Sequence, residues 1–204
     1  MFKKYQPLGE RAMYTRIKLG AWTIIVFCSI MAIGALAGGT DVSVPVKPSS
    51  HYPSYDQPLK NYSNIEIKIA GEFRIIEPDF LQKLLLPNSF IEFDVLGCLL
   101  LITLSIIVLK LLPHVHSQAL LKKDISPWIK AIGWTLIIFC FLDFLRIFFY
   151  AMPEIDRITN HEFIFRRSGY VIFPLQFYTG LGILWVSRLY KNAFRLKQEQ
   201  ELTI

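Results

Sequence analysis

Three stretches without a single charged side chain govern what this chain can fold into: Leu19 to Thr40, Val95 to Leu109 and Ser168 to Ser187. A helix needs about 20 predominantly apolar residues to cross a bilayer core. With their apolar flanks, all three stretches reach that length. A fourth segment, Trp128 to Tyr150, is interrupted only by Lys130, Asp143 and Arg146. The composition agrees, with 53% hydrophobic and 19% charged residues and a mean hydropathy of +0.40. Soluble domains carry about a quarter charged residues. The fold class expected is therefore an all-α membrane protein, a four-helix transmembrane bundle with a small extracytoplasmic segment.

The segments divide the 204 residues into an alternating layout. An N-terminal arm (1–18) precedes span one (19–37). An outer segment (38–92) leads to span two (93–112), which Pro113 is expected to end because proline is poorly tolerated inside a helix. A short loop (113–127) precedes span three (128–150), where Pro127 suits a helix start. A second outer loop (151–168), span four (169–190) and a tail (191–204) complete the chain. Span four holds Pro174 and the small pair Gly180 and Gly182, residues that membrane helices accept more readily than soluble ones.

Charge orients the set. The arm, the 113–127 loop with its flanking helix ends, and the tail with Arg188 at the end of span four together carry thirteen basic and four acidic residues, a net +9. The two outer segments, with Asp94 at the start of span two, carry eight basic and eleven acidic residues, a net −3. The positive-inside bias places both termini in the cytoplasm. The formal net charge of +6 thus reports orientation, and with no basic patch around a recognisable binding motif no direct nucleic-acid partner is expected. A competing reading takes span one as a cleaved signal peptide, since Ala35-Leu36-Ala37-Gly38 has small residues at a cleavage-like position. The 18-residue arm and the length of the apolar run favour an uncleaved span.

The 38–92 segment is the only stretch large enough for structure outside the bilayer. Pro45, Pro48, Pro53 and Pro58 make its first part read as irregular. Ile65, Ile67 and Ile69 then alternate with Glu66 and Lys68, the period of a half-buried strand. Phe73, Ile75 and Ile76 follow Ala70-Gly71, so the two runs read as a hairpin. Asp79 to Leu85 reads as a short helix. A lone hairpin is marginal in water, so packing on the bundle mouth or on a partner is expected.

Candidate chemistry is sparse. Asp143 and Arg146 stand three apart in span three, within reach of each other on one helix face. Ionisable groups within a span are costly and often mark function. Asp143 is thus a candidate proton or cation site tuned by Arg146, although the favoured reading makes it one half of a neutralised pair that fixes packing near the outer interface. His114 and His116 form an H-x-H pair without the third and fourth ligands a metal needs, so no metal or cofactor is expected. Glu92 and Asp94 read as an anchor or helix cap. No G-x-S-x-G, H-E-x-x-H or phosphate-cradling glycine loop occurs, and no enzymatic activity is expected. Cys28, Cys98 and Cys140 all fall within apolar runs, which leaves no disulfide framework. Trp22, Trp128 and Trp185 suit interfacial belts, while Trp134 lies deeper and is expected to pack between helices. In the tail, Arg188, Lys191 and Arg195 form a basic stripe suited to anionic headgroups.

The chain's ending carries a resemblance. Leu196, Glu199, Leu202, Thr203 and Ile204 fit a basic helix followed by Leu-x-x-Glu-x-x-Leu-Thr-Ile, and Ile129-Lys130-Ala131-Ile132-Gly133-Trp134 opens span three. With the four-span layout, these features resemble the bacterial membrane proteins of domain-of-unknown-function family 2975. The resemblance implies a location in the bacterial cytoplasmic (inner) membrane and a gene often beside a small helix-turn-helix regulator. It brings no catalytic residues. The function expected is contact-based signalling or regulation, with the lipid bilayer, a cytoplasmic regulator protein and a second copy of the chain as candidate partners. The residues 196, 199, 202, 203 and 204 form the candidate docking tail. The alternative is a small transporter or transport accessory that uses Asp143.

Overall fold

A computed structural model describes residues 8–37, 41–48, 65–68, 71–87, 94–116, 124–165 and 175–202. Its elements in chain order are α1 (Leu8–Ala37), β1 (Val42–Pro48), β2 (Ile65–Lys68), β3 (Glu72–Ile75), α2 (Phe80–Leu85), α3 (Val95–His116), α4 (Ser126–Arg146), α5 (Met152–Ile158), β4 (Phe163–Phe165) and α6 (Leu175–Leu202). A π-helical turn, Ile147–Ala151, joins α4 to α5 without a break.

Three of these helical stretches are long and apolar enough to cross a membrane: Ala12–Ala37, Val95–Val115 and Ser126–Ile158. They coincide with spans one to three. The segment read as span four contributes the first part of α6, and its opening residues, 169–174 with Pro174, lie outside the described residues. Helix α3 does not stop at Pro113 but continues for three residues to His116. The proline sits in the last turn, where losing one N–H bond leaves most of the helix intact.

The chain divides into two compact units. The helical unit contains Met1–Ser29, Leu99–Cys140 and Phe173–Ile204. Within it α4 and α6 meet at two glycines. A Cβ on Gly133 would lie 3.0 Å from the carbonyl oxygen of Gly180, and one on Gly180 would lie 2.9 Å from that of Gly133. Small residues at such a crossing let two backbones approach closely, a common basis of helix association in membranes. Farther along the same pair of helices, the buried Ser187 hydroxyl donates to the Ser126 carbonyl at 2.9 Å. Trp134, by contrast, is not packed between helices. Nearly half of it is exposed, consistent with the lipid-facing surface of a spanning helix.

The second unit contains Ile30–Cys98 and Phe141–Ile172. Strands β2 and β3 form the expected antiparallel hairpin, with Ile65 opposite Ile75 and Ile67 opposite Phe73. Residues Val42 to Pro48 are not irregular. They form β1, whose first half pairs with β3 and whose second half pairs with β4, giving the order β2-β3-β1-β4. Pro45 is tolerated because each half of β1 is paired on one side only, so a missing N–H need not break a ladder. Val42, Val44 and Val46 alternate onto one buried face with Phe73, Ile75 and Phe165. Leu86, Ile147, Ala151 and Ile155 complete that core. Each fully buried Val, Leu, Ile or Phe contributes about 1.5–3 kcal/mol, so the hairpin finds its core within its own unit.

Polar contacts lock the periphery of this core. Gln82 on α2 donates from Nε2 to Glu154 on α5 at 3.0 Å, and Arg157 donates to both oxygens of the same carboxylate at 2.8 and 3.1 Å. The buried Thr159 hydroxyl donates to the Ile155 carbonyl at 2.7 Å and accepts from the Phe163 N–H at 3.3 Å, joining the end of α5 to β4. Arg74 on β3 pairs with Asp41, just ahead of β1.

Candidate functional site

Asp143 and Arg146 lie one turn apart near the end of α4, and the arginine bonds its own helix neighbour: Nη2 donates to Asp143 Oδ1 at 2.5 Å. A second carboxylate also reaches the guanidinium. Asp94 Oδ2 lies 2.5 Å from Arg146 Nη1. That approach is an ion pair off the hydrogen-bonding direction, and Arg146 Nε has no acceptor among the described residues.

Asp94 serves two elements at once. Its Oδ1 accepts the Gly97 N–H at 2.8 Å and its carbonyl accepts the Cys98 N–H at 2.9 Å, so it caps α3. A carboxylate at a helix N-terminus satisfies an otherwise orphaned donor and faces the positive end of the dipole. With its other oxygen turned to Arg146, it ties the start of α3 to the end of α4. The arginine side chain is only 7% exposed, against 20% for Asp94 and 29% for Asp143. Three charged groups thus share a largely enclosed setting, and two carboxylates face one guanidinium.

The i,i+3 spacing foretold the Asp143–Arg146 half of this cluster, and the cap expected of Asp94 is present. The Asp94–Arg146 contact was missed because it spans 52 positions of sequence. A usable signal existed: Asp94 opens span two and Arg146 lies near the end of span three, so antiparallel spans place them at matching depth.

The other candidates are placed apart from this cluster. His114 lies beside Trp128, ring centroids 6.3 Å apart. Among the described residues, no three His, Cys, Asp or Glu side chains are placed to hold a metal ion. Cys28, Cys98 and Cys140 are buried. In the tail, Leu196, Glu199 and Leu202 lie on α6, while Thr203 and Ile204 lie outside the described residues. Leu196 and Leu202 are 61% and 88% exposed. Glu199 accepts from Arg195 Nε at 2.9 Å, and Lys197 pairs with Glu201 at 3.7 Å.

With three candidate spans and an ion cluster between two of them, the chain is a multi-pass membrane protein. Residues 48–204 match the family described as protein of unknown function (DUF2975), and the chain belongs to that family. The matched region starts at the last residue of β1 and leaves α1 outside it. No curated protein and no solved structure matches the chain.

Proposed function

We propose that this protein is a four-span, non-enzymatic protein of the bacterial cytoplasmic membrane that works through protein contacts in signalling or regulation. In this reading Leu175 to Tyr190 completes the fourth span, and both termini lie in the cytoplasm, as the +9 and −3 charge balance favours. The sheet unit receives a signal outside. The end of α6 reports it to a cytoplasmic regulator protein.

The observation that carries this reading is the unbroken course of α6. Its 28 residues extend about 42 Å at 1.5 Å per residue, well beyond a hydrocarbon core of about 30 Å. The final turns therefore stand clear of the bilayer with Leu196 and Leu202 exposed. A rigid connection from span to tail suits the transmission of a shift in the span. The neighbouring pairs Arg195–Glu199 and Lys197–Glu201 support the helix while leaving the leucines open.

Crosslinking and affinity purification from native membranes test the reading. Leu196→Gln with Leu202→Gln is expected to abolish recovery of the regulator while membrane insertion stays unchanged. Deletion of the tail with no effect on partners or phenotype overturns it. A second reading, a transporter or transport accessory, draws on the surplus carboxylate of the Asp94–Arg146–Asp143 cluster. Asp143→Asn separates the two: loss of function with normal insertion and normal partner recovery favours transport.

A further inference from the structure

One face of α1, formed by Ile17, Gly20, Ala21 and Ile24, meets Ser105 and Val108 of α3 across an open-sided crevice of about 260 Å³. The α1 residues recur at three and four, so they line a single helix face. No polar atom of the lining opens into the crevice. Gly20 supplies the room: a Cβ built there would meet nothing within 4 Å. At about 260 Å³ the slot holds far less than a helical segment with a diameter of about 10–12 Å, and its volume suits an extended hydrocarbon chain.

Two cations flank the N-terminal end of this slot. Arg16 precedes Gly20 by four residues and Lys18 precedes Ala21 by three, so each lies one turn from a lining residue, on opposite edges of the lining face. Both are exposed, and neither makes an ion pair among the described residues. An apolar slot flanked at one end by exposed positive charge is complementary to an amphiphile with a hydrocarbon chain and a negative head. We propose that the α1–α3 crevice is a binding site for an anionic phospholipid, with an acyl chain along Gly20 and Ile24 and the headgroup phosphate at Arg16 and Lys18. A zwitterionic lipid matches the slot equally but gains less from the cations, because its head carries no net charge. The site involves neither the tail nor the ion cluster, and it stands independently of the contact-signalling reading.

Native mass spectrometry of the full-length protein, released from micelles containing equal phosphatidylglycerol and phosphatidylcholine, tests the assignment. The unaltered chain is expected to retain phosphatidylglycerol preferentially. Arg16→Gln with Lys18→Gln is expected to reduce that preference about thirtyfold, since each cation near an anionic leaflet contributes about fivefold. Gly20→Leu is expected to remove the bound lipid, and Gly20→Ala to weaken it. Arg157→Gln, a change on α5 in the sheet unit, leaves the preference unchanged. Equal retention of the two lipids by the unaltered chain overturns the proposal, as does a preference that survives both the charge and the Gly20→Leu variants. A dimer that Gly20→Leu dissociates without changing lipid retention also overturns it and assigns the crevice to a second copy.

Discussion

Asp94 performs two tasks with two oxygens, and two substitutions separate them. Asp94→Asn keeps an acceptor for the Gly97 N–H, now 2.8 Å from Oδ1, but removes the charge facing Arg146. Asp94→Ala removes both. Breaking a fully buried pair by deleting one partner costs about 3–5 kcal/mol. That is an upper bound here, because Arg146 keeps Asp143 on Nη2 and Asp94 is partly exposed. An interaction with a charged group is worth about 1.5–3 kcal/mol, which sets the expected loss for Asp94→Asn. Loss of the cap adds about 1 kcal/mol, so Asp94→Ala should lose about 2.5–4 kcal/mol. Reversible unfolding in mixed micelles measures both, and a double-mutant cycle with Arg146→Gln isolates the pair. A coupling energy within about 0.5 kcal/mol of additivity would refute the pairing. Equal losses for Asn and Ala would refute the cap.

The glycines give sharper contrasts. Gly180→Ala would place a methyl 2.9 Å from the Gly133 carbonyl oxygen and 2.8 Å from Ile137, and overpacking of this kind costs about 1–3 kcal/mol. Gly182→Ala meets nothing within 4 Å and should stabilise α6 by up to about 1 kcal/mol through helix propensity. Thermal unfolding of the two variants in one detergent should therefore move in opposite directions. In the sheet unit, Gly71 has φ +78° and its Cβ would lie 3.1 Å from the Val46 carbonyl oxygen. Gly71→Ala should cost about 1–2 kcal/mol of left-handed strain, read as faster hydrogen exchange in β1 and β3 with α4 unchanged.

Much of this architecture was legible because lipid imposes a plain requirement. A span must be continuously apolar, so the helices around Ala12–Ala37, Val95–Val115 and Ser126–Ile158 show in the sequence before any packing is known. The hairpin was legible from Ile65, Ile67, Phe73 and Ile75 because a period of two is local information. β1 carries the same signature in Val42, Val44 and Val46, but Pro45 and Pro48 obscured it. Proline argues against a strand only where both edges are paired, and pairing is a tertiary fact. The ion cluster divides along the same line. Asp143–Arg146 follows from helix geometry alone, whereas Asp94 joins it through the packing of one span's beginning against another's end. Trp134 shows the limit of depth as a guide, since in lipid a central aromatic side chain needs no protein neighbour.

The π turn at Ile147–Ala151 has a consequence for how the chain tolerates change in length. Ile147, Ala151 and Ile155 all enter the sheet core, yet positions four apart drift by about 40° per step around a regular α-helix. Over two steps a regular helix would carry the third side chain about 80° away from the first. The wider turn takes up part of this drift and holds the three closer to one line. Restoring regular α winding to these five residues, with their number unchanged, would rotate everything beyond them, including Thr159 and the approach to β4. The bulge therefore acts as a phase adjuster: it lets Arg146, on one side of it, keep its ionic partners while the helix beyond is turned to suit a different neighbour. Insertions should be far less tolerable at these five residues than in the connections between helices and strands.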